Sequence, residues 1–155
     1  MTDPFSGTTT WGAALAGEEV RFLTHEEAVA IHGRVTAAFG GTFSAPDLPS
    51  GSGDVGVRDP GLLESALYRP RSGHYGDVAE MATALLESLL LTRPFTEGNR
   101  RASFFVTDTF LRMNGWRLEV EAAKAHAFLR GLYGAFACRF EHLLPVVRSA
   151  MVRNE

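Results

Sequence analysis

The amino-acid sequence predicts an all-α domain, a compact bundle of about six helices with one short loop between two central ones. Three observations predict it. Apolar residues recur at helical spacing along most of the chain. Capping residues, glycines and prolines punctuate those stretches. Finally, no βαβ rhythm and no internal repeat is present.

The elements follow in order. Thr24-His25-Glu26-Glu27 has the form of a capping box, and Ala28, Ile31, Val35 and Ala38 continue it at helical spacing until Gly40-Gly41 stops the helix. Residues 40–58 are rich in Gly, Ser and Pro and read as a long exposed loop. Asp59-Pro60 places an N-cap before a first-turn proline, starting a helix that runs to about residue 68. Residues 70–76 break the chain again. Over 77–92 a helix is apolar almost all round, with Glu80, Thr83 and Glu87 as its one polar stripe, which predicts a buried central helix.

Pro94 ends that helix by forcing residue 93 out of helical geometry. A further helix starts near Asn99 and closes at Asn114-Gly115. Residues 116–120 read as a short extended link, and 121–132 and 136–151 as helices, with Pro145 a point of kinking or breakage. Phe104, Phe105, Phe110, Phe128, Phe136 and Phe140 fall at helical spacings and are assigned to the core rather than to a cofactor site.

Composition narrows the class. The 155 residues suit one domain over residues 21–155, preceded by a loose arm over 1–20 that is rich in Thr, Gly and Ala. That arm lacks the basic and apolar segments of a secretory signal, and no apolar run approaches the ~20 residues that span a bilayer, so a cytoplasmic protein without membrane contact is expected. A net charge of −3 has the wrong sign for a surface that tracks nucleic acid. The lone Cys138 excludes an internal disulfide and sits in an apolar run, where a buried, inert thiol is expected. No Cys/His cluster suggests structural zinc.

Chemistry concentrates in Arg93-Pro94-Phe95-Thr96-Glu97-Gly98-Asn99-Arg100-Arg101, a loop leading into a helix N-terminus. Unpaired backbone N–H groups and the helix dipole favour an anion there. Gly98 permits close approach of a ligand to the backbone. Three arginines against Glu97 make the segment basic within an acidic protein, so phosphate is the natural guest, with Glu97 able to hold Mg²⁺ against it. The plainer reading is a capped helix with a solvated, charged edge.

This stretch resembles the motif of the Fic superfamily, His-Pro-Phe-x-Asp/Glu-Gly-Asn-Gly-Arg-x-x-Arg. It is most similar to the Doc (death-on-curing) branch, which has Lys at the third small residue and lacks the last arginine. Pro94, Phe95, Glu97, Gly98, Asn99 and Arg101 match, Arg100 stands where Doc has Lys, and Phe104 stands where the last arginine would be. The likeness runs from about residue 21 to 115. It takes in Leu23-Thr24-His25-Glu26-Glu27, Ile31-His32, Phe39-Gly40-Gly41, Val57-Arg58-Asp59-Pro60 and Phe110-Leu111-Arg112-Met113-Asn114-Gly115.

The resemblance implies ATP and Mg²⁺ as cofactors, with Glu97 the metal ligand. It implies that Gly98, Asn99, Arg100 and Arg101 bind the nucleotide phosphates and that Phe95 anchors the loop in the core. It further implies a toxin of a toxin–antitoxin system. The Doc reaction moves the γ-phosphate of ATP to a threonine of the translation elongation factor Tu, whereas other Fic enzymes transfer AMP. Because Phe104 cannot pair with phosphate, kinase chemistry is favoured over AMP transfer. No inhibitory Ser/Thr-x-x-x-Glu-Gly-Asn helix occurs in the chain, so a separate antitoxin is the expected partner.

One departure matters. The motif's first position, the catalytic His of the family, is Arg93. A guanidinium has no proton-accepting form near neutral pH and cannot be a general base. The expected outcome is a catalytically dead chain that keeps its fold and its nucleotide pocket, through a selected or engineered change or as a natural pseudoenzyme. A non-catalytic nucleotide- or partner-binding module is the competing function. Rescue by His74 is not expected, and His25, His126 and His142 read as solvated side chains. His32 is assigned either to the pocket or to a helix surface. Residues 70–76 lie where Fic proteins carry a flap for the target segment.

Overall fold

The structure, a computed structural model, describes residues 19–39, 56–120 and 138–154. Helix α1, His25–Phe39, opens with the expected reciprocal cap: Glu27 N–H donates to Thr24 Oγ1 at 3.1 Å, and Thr24 N–H donates to Glu27 Oε1 at 2.9 Å. Its buried face is Ala28, Ile31, His32, Val35 and Thr36. Ala38, expected on that face, is exposed. Helix α2, Pro60–Tyr68, starts on the Asp59 carboxylate, which accepts from Leu62 N–H at 3.1 Å, and passes into a 3₁₀ turn, Arg69–Arg71.

Helix α3, Val78–Thr92, is the axis of the bundle and packs against α2, α4 and the last helix. Of its polar stripe only Glu80 keeps partial exposure. Thr83 and Glu87 are buried, and the Glu87 carboxylate lies 2.6 Å from Arg69 and 3.5 Å from Arg139 and accepts the Phe140 N–H at 2.7 Å. A buried carboxylate needs such partners, since desolvating it unpaired costs several kcal/mol by order of magnitude.

Helix α4, Asn99–Met113, ends at Asn114 and at Gly115 with φ 87°. The Asn114 carboxamide donates to the carbonyls of Phe110 and Arg21 and accepts from Arg21 N–H, fastening the approach to α1 onto the end of α4. Helix α5, Phe140–Ala150, runs through Pro145 without a break. Pro145 and Glu141 are exposed, so water can serve the carbonyl that the proline leaves without a donor. Leu143 and Val147 face inward.

The all-α class holds, with one small addition. The link after α4 forms strand β1, Trp116–Leu118, antiparallel to β2, Met151–Arg153, which was expected to be the end of the last helix and the tail beyond it. Phe110 is fully buried, whereas Phe104, Phe105 and Phe140 are half-buried at the margin of the core. The helix expected over 121–132, most of the 40–58 loop, nearly all of the arm over 1–20, and Phe128, Phe136 and His126 lie outside the described residues. Among the described residues, no helix is long and apolar enough to cross a membrane.

Candidate functional site

Residues 93–98 join α3 to α4. Proline at 94 forbids the right-handed helical region to Arg93, which takes the left-handed one, φ 49° and ψ 63°. Among the described residues it is the one non-glycine with positive φ, a conformation that costs about 1–2 kcal/mol. Its own N–H closes α3 by donating to the Leu89 carbonyl at 3.1 Å. Arg58 braces the other side. Its Nε donates to the Arg93 carbonyl at 2.9 Å, and its Nη2 to those of Thr92 and Arg93, both at 2.7 Å. A cation on the last carbonyls of a helix meets the negative end of its dipole.

The floor of the loop is an aromatic stack. Phe95 is buried and lies parallel to the His32 ring, with centroids 4.3 Å apart and planes 2° off parallel. His32 is 1% exposed, and its Nε2 is 2.9 Å from the Glu97 carbonyl. Burial pushes its pKa down against the opposing pull of Glu97, which keeps the ring neutral. Since a carbonyl only accepts, the single ring proton sits on Nε2.

Gly56 closes the edge of that ring. A Cβ there would stand 2.8 Å from His32 Cε1 and Nδ1, and its φ of 85° is itself suited to glycine. Residues 56–59 then run along the loop as a clamp. Val57 bridges Phe95, Thr96 N–H donates to the Gly56 carbonyl at 2.9 Å, and the Arg58 and Asp59 N–H groups donate to the Pro94 carbonyl at 2.7 and 3.1 Å.

The remaining motif residues divide by task. The Asn99 carboxamide turns back on the loop, donating to the Phe95 carbonyl at 2.9 Å and accepting from Phe95 N–H at 3.0 Å. The side chain is therefore engaged in holding the loop, and its backbone N–H is the group best placed to face a ligand. Gly98 caps α4 in the left-handed region, φ 68°, with open space where a Cβ would stand. The N–H groups of Asn99, Arg100 and Arg101 lack intrahelical acceptors by helix geometry.

Arg93 is exposed on the rim, while Glu97 and Arg100 are half-buried. Arg101 is exposed, with its guanidinium 4.6 Å above the Phe39 ring. An exposed cation–π contact is worth about 0.5–1 kcal/mol, less than the roughly 1.5–3 kcal/mol of a charged hydrogen bond, so phosphate can compete for that side chain. Beneath the loop, burial pushes the Cys138 thiol up against the opposing fields of Arg93 and Arg100, which leaves it protonated.

Three contributors were missed or left open by the sequence. His32, left open between the pocket and a helix surface, follows Ala28 by one helical turn and adjoins Ile31, a spacing that could have placed it on the buried face. Gly56 sits at the end of a glycine-rich loop and carried no signal, and Arg58, though within the stretch that resembles the family, was given no role. The polar base of the 70–76 segment was also unforeseen: Arg69 donates to the Tyr75 hydroxyl at 2.9 Å and to Ser88 Oγ at 2.8 Å. Of the other histidines, His74 and His142 are exposed, as expected, and His25 is half-buried, 3.7 Å from Glu64.

Sequence comparison with known proteins places the chain in a family. The chain is 38% identical over 74 residues to Toxin Doc of Mycolicibacterium smegmatis (strain ATCC 700084 / mc(2)155). That match covers 44% of this chain and 57% of the relative, so the likeness spans little more than half the relative's length. A sequence profile of the Fic/DOC family matches residues 22–111, more than half of this chain and all of the loop just described. The chain belongs to the Fic/DOC family.

Proposed function

We propose that this protein is a Doc-type toxin whose loop 93–101 binds the phosphates of ATP with Mg²⁺, and that Arg93 leaves it without transferase activity. The observation that carries the reading is the loop itself. Asn99, Arg58 and His32 hold it against α4 so that Gly98 and the first-turn amides lie beside Arg100 and Arg101.

The donor set suits a magnesium–nucleotide pair better than a resident metal. Among the described residues no group of three or more His, Cys, Asp or Glu side chains could hold an ion, which leaves Glu97 as a single carboxylate. Mg²⁺ is commonly held by one or two carboxylates together with substrate phosphates and water. Glu97 would supply that carboxylate. Gly98 and the α4 amides would take phosphate oxygens, and Arg100 and Arg101 would offset their charge. The bound nucleotide supplies an electrophilic phosphorus. Phe95 keeps the loop seated.

Phe104 is half-buried and packs edge-on against Phe105, where a guanidinium would otherwise reach phosphate. This favours transfer of the γ-phosphate to a Ser or Thr hydroxyl of a translation protein, elongation factor Tu being the family's target, over AMP transfer. The protein would act in the cytoplasm and be held by an antitoxin. A shallow groove of about 220 Å³ between α1 and α4, lined by Ile31, Val35, Phe39 and Phe105, supports a partner beside the site.

General-base catalysis is typically worth about 10²–10⁴-fold, and Arg93 cannot provide it. The exposed, always-charged Arg93 also favours a second reading, a non-catalytic nucleotide-binding module. The test is the Arg93→His variant with ATP labelled on the γ- or the α-phosphate and a bacterial lysate, alongside growth on induction. Transfer of γ-label with arrested growth is the expected result. α-Label marks an AMP-transferase, and neither label with normal growth favours the module.

A further inference from the structure

We propose that His32 is a positioning residue that latches the Glu97–Gly98 peptide and thereby aims the Gly98 N–H out of the core as an anion donor. Three observations converge on it. The His32 Nε2 meets the Glu97 carbonyl at 2.9 Å. A trans peptide is planar, with its C=O and N–H pointing in opposite directions. Holding that carbonyl inward therefore turns the Gly98 N–H toward the side on which the α4 amides open. Gly98 is also the residue least able to hold this orientation unaided, because glycine takes either sign of φ at little cost and a flip of the peptide meets no steric barrier from a Cβ.

The latch is itself held on one face and one edge. The ring lies flat on Phe95, and Gly56 abuts its Cε1–Nδ1 edge so closely that no side chain fits there. The stack fixes the plane of the ring, and the Gly56 contact limits its sliding along Phe95. Burying an imidazole in this way is costly unless its N–H finds an acceptor, and the Glu97 carbonyl is that acceptor.

The orienting role stands on geometry alone. Its value to a ligand rests on the nucleotide reading above, so the test separates the two. In the unaltered chain, nitrogen NMR should find His32 protonated on Nε2, and a ring protonated on Nδ1 overturns the proposal without any variant. His32→Gln and His32→Leu have similar volumes and both give up the stack on Phe95, but only Gln can donate. The Glu97 carbonyl-carbon and Gly98 amide signals should stay near their original positions in His32→Gln and shift or double in His32→Leu. Identical spectra for the two variants overturn the latch.

Titration with MgATP supplies the second arm. Affinity should fall about tenfold in His32→Leu and no more than about threefold in His32→Gln. Equal affinities, with the spectra as expected, overturn the positioning role. No binding by the unaltered chain, with the spectra as expected, removes the nucleotide reading and leaves the latch standing.

Discussion

The two ends of α3 are built differently. At its start the capping is local: the Asp77 carboxylate accepts the Glu80 N–H at 2.9 Å, and Glu80 accepts from the Gly76 N–H at 2.8 Å. At its finish almost nothing is local. Arg93 sits in a costly left-handed conformation, held by Arg58 from 35 residues earlier in the chain, and Phe95 just beyond it lies on His32. A helix end that only has to stop can be closed by its own neighbours. One that has to present a loop in a single orientation is gripped from outside, and the candidate site lies at the gripped end.

Breaking the grip should cost most at Gly56. Gly56→Ala combines positive φ with a Cβ driven into the His32 ring. It should lose about 2–4 kcal/mol by urea unfolding. Gly98→Ala shares the φ penalty but meets open space and should lose only about 1–2 kcal/mol. Equal losses would mean that the ring contact contributes nothing.

Arg58→Ala and Asp77→Ala sharpen the contrast between the ends. Each should cost about 1 kcal/mol, the first by removing partly exposed charged hydrogen bonds and the second by removing a cap. Only Arg58→Ala should also weaken MgATP binding, because only it frees the Arg93 carbonyl. An equal effect of both on affinity would erase the distinction.

A smaller effect depends on pH. Burial holds His32 below its ordinary value of 6.5, so as pH falls through 6.5 the unfolded chain takes up a proton that the folded chain refuses. More protons on the unfolded state means stability that is present above this pH and is lost progressively below it. Unfolding midpoints of the parent should drop in that window more steeply than those of His32→Gln. Parallel curves would show that the imidazole is not excluded from protonation.

The smallest effect belongs to the local end. Arg148 lies 3.1 Å from Asp77 and 3.5 Å from Glu80 but is itself exposed. Arg148→Ala should change stability by about 0–1 kcal/mol, fading in salt. A larger change would mean that this end too depends on distant contacts.

The same contrast explains what could be read in the sequence. Thr24 and Asp59 announce helix starts because capping is a property of neighbouring residues, and Pro94 and Gly115 announce stops for the same reason. The loop could be located because its composition, arginines about Gly98 at a helix start, reports chemistry directly. Its mounting could not. Nothing around Arg58 says that its guanidinium crosses to Thr92 and Arg93. Nor does anything around Glu87 say that a carboxylate on an apolar helix is needed to receive Phe140. Strand β2 escaped notice because Met151-Val152-Arg153 gains its partner only when the chain returns to Trp116. Such pairings depend on which distant segments meet, and periodicity carries no record of that.

The acceptance of the Phe140 amide by Glu87 also bears on the order of assembly during synthesis. The Glu87 carboxylate meets Arg69 early, but its partner at Phe140 comes from a stretch 53 residues downstream, and β1 waits longer still for Met151–Arg153. A nascent chain therefore holds α3 and β1 on an unfinished support until residues 140–153 have been made, so the bundle should close late.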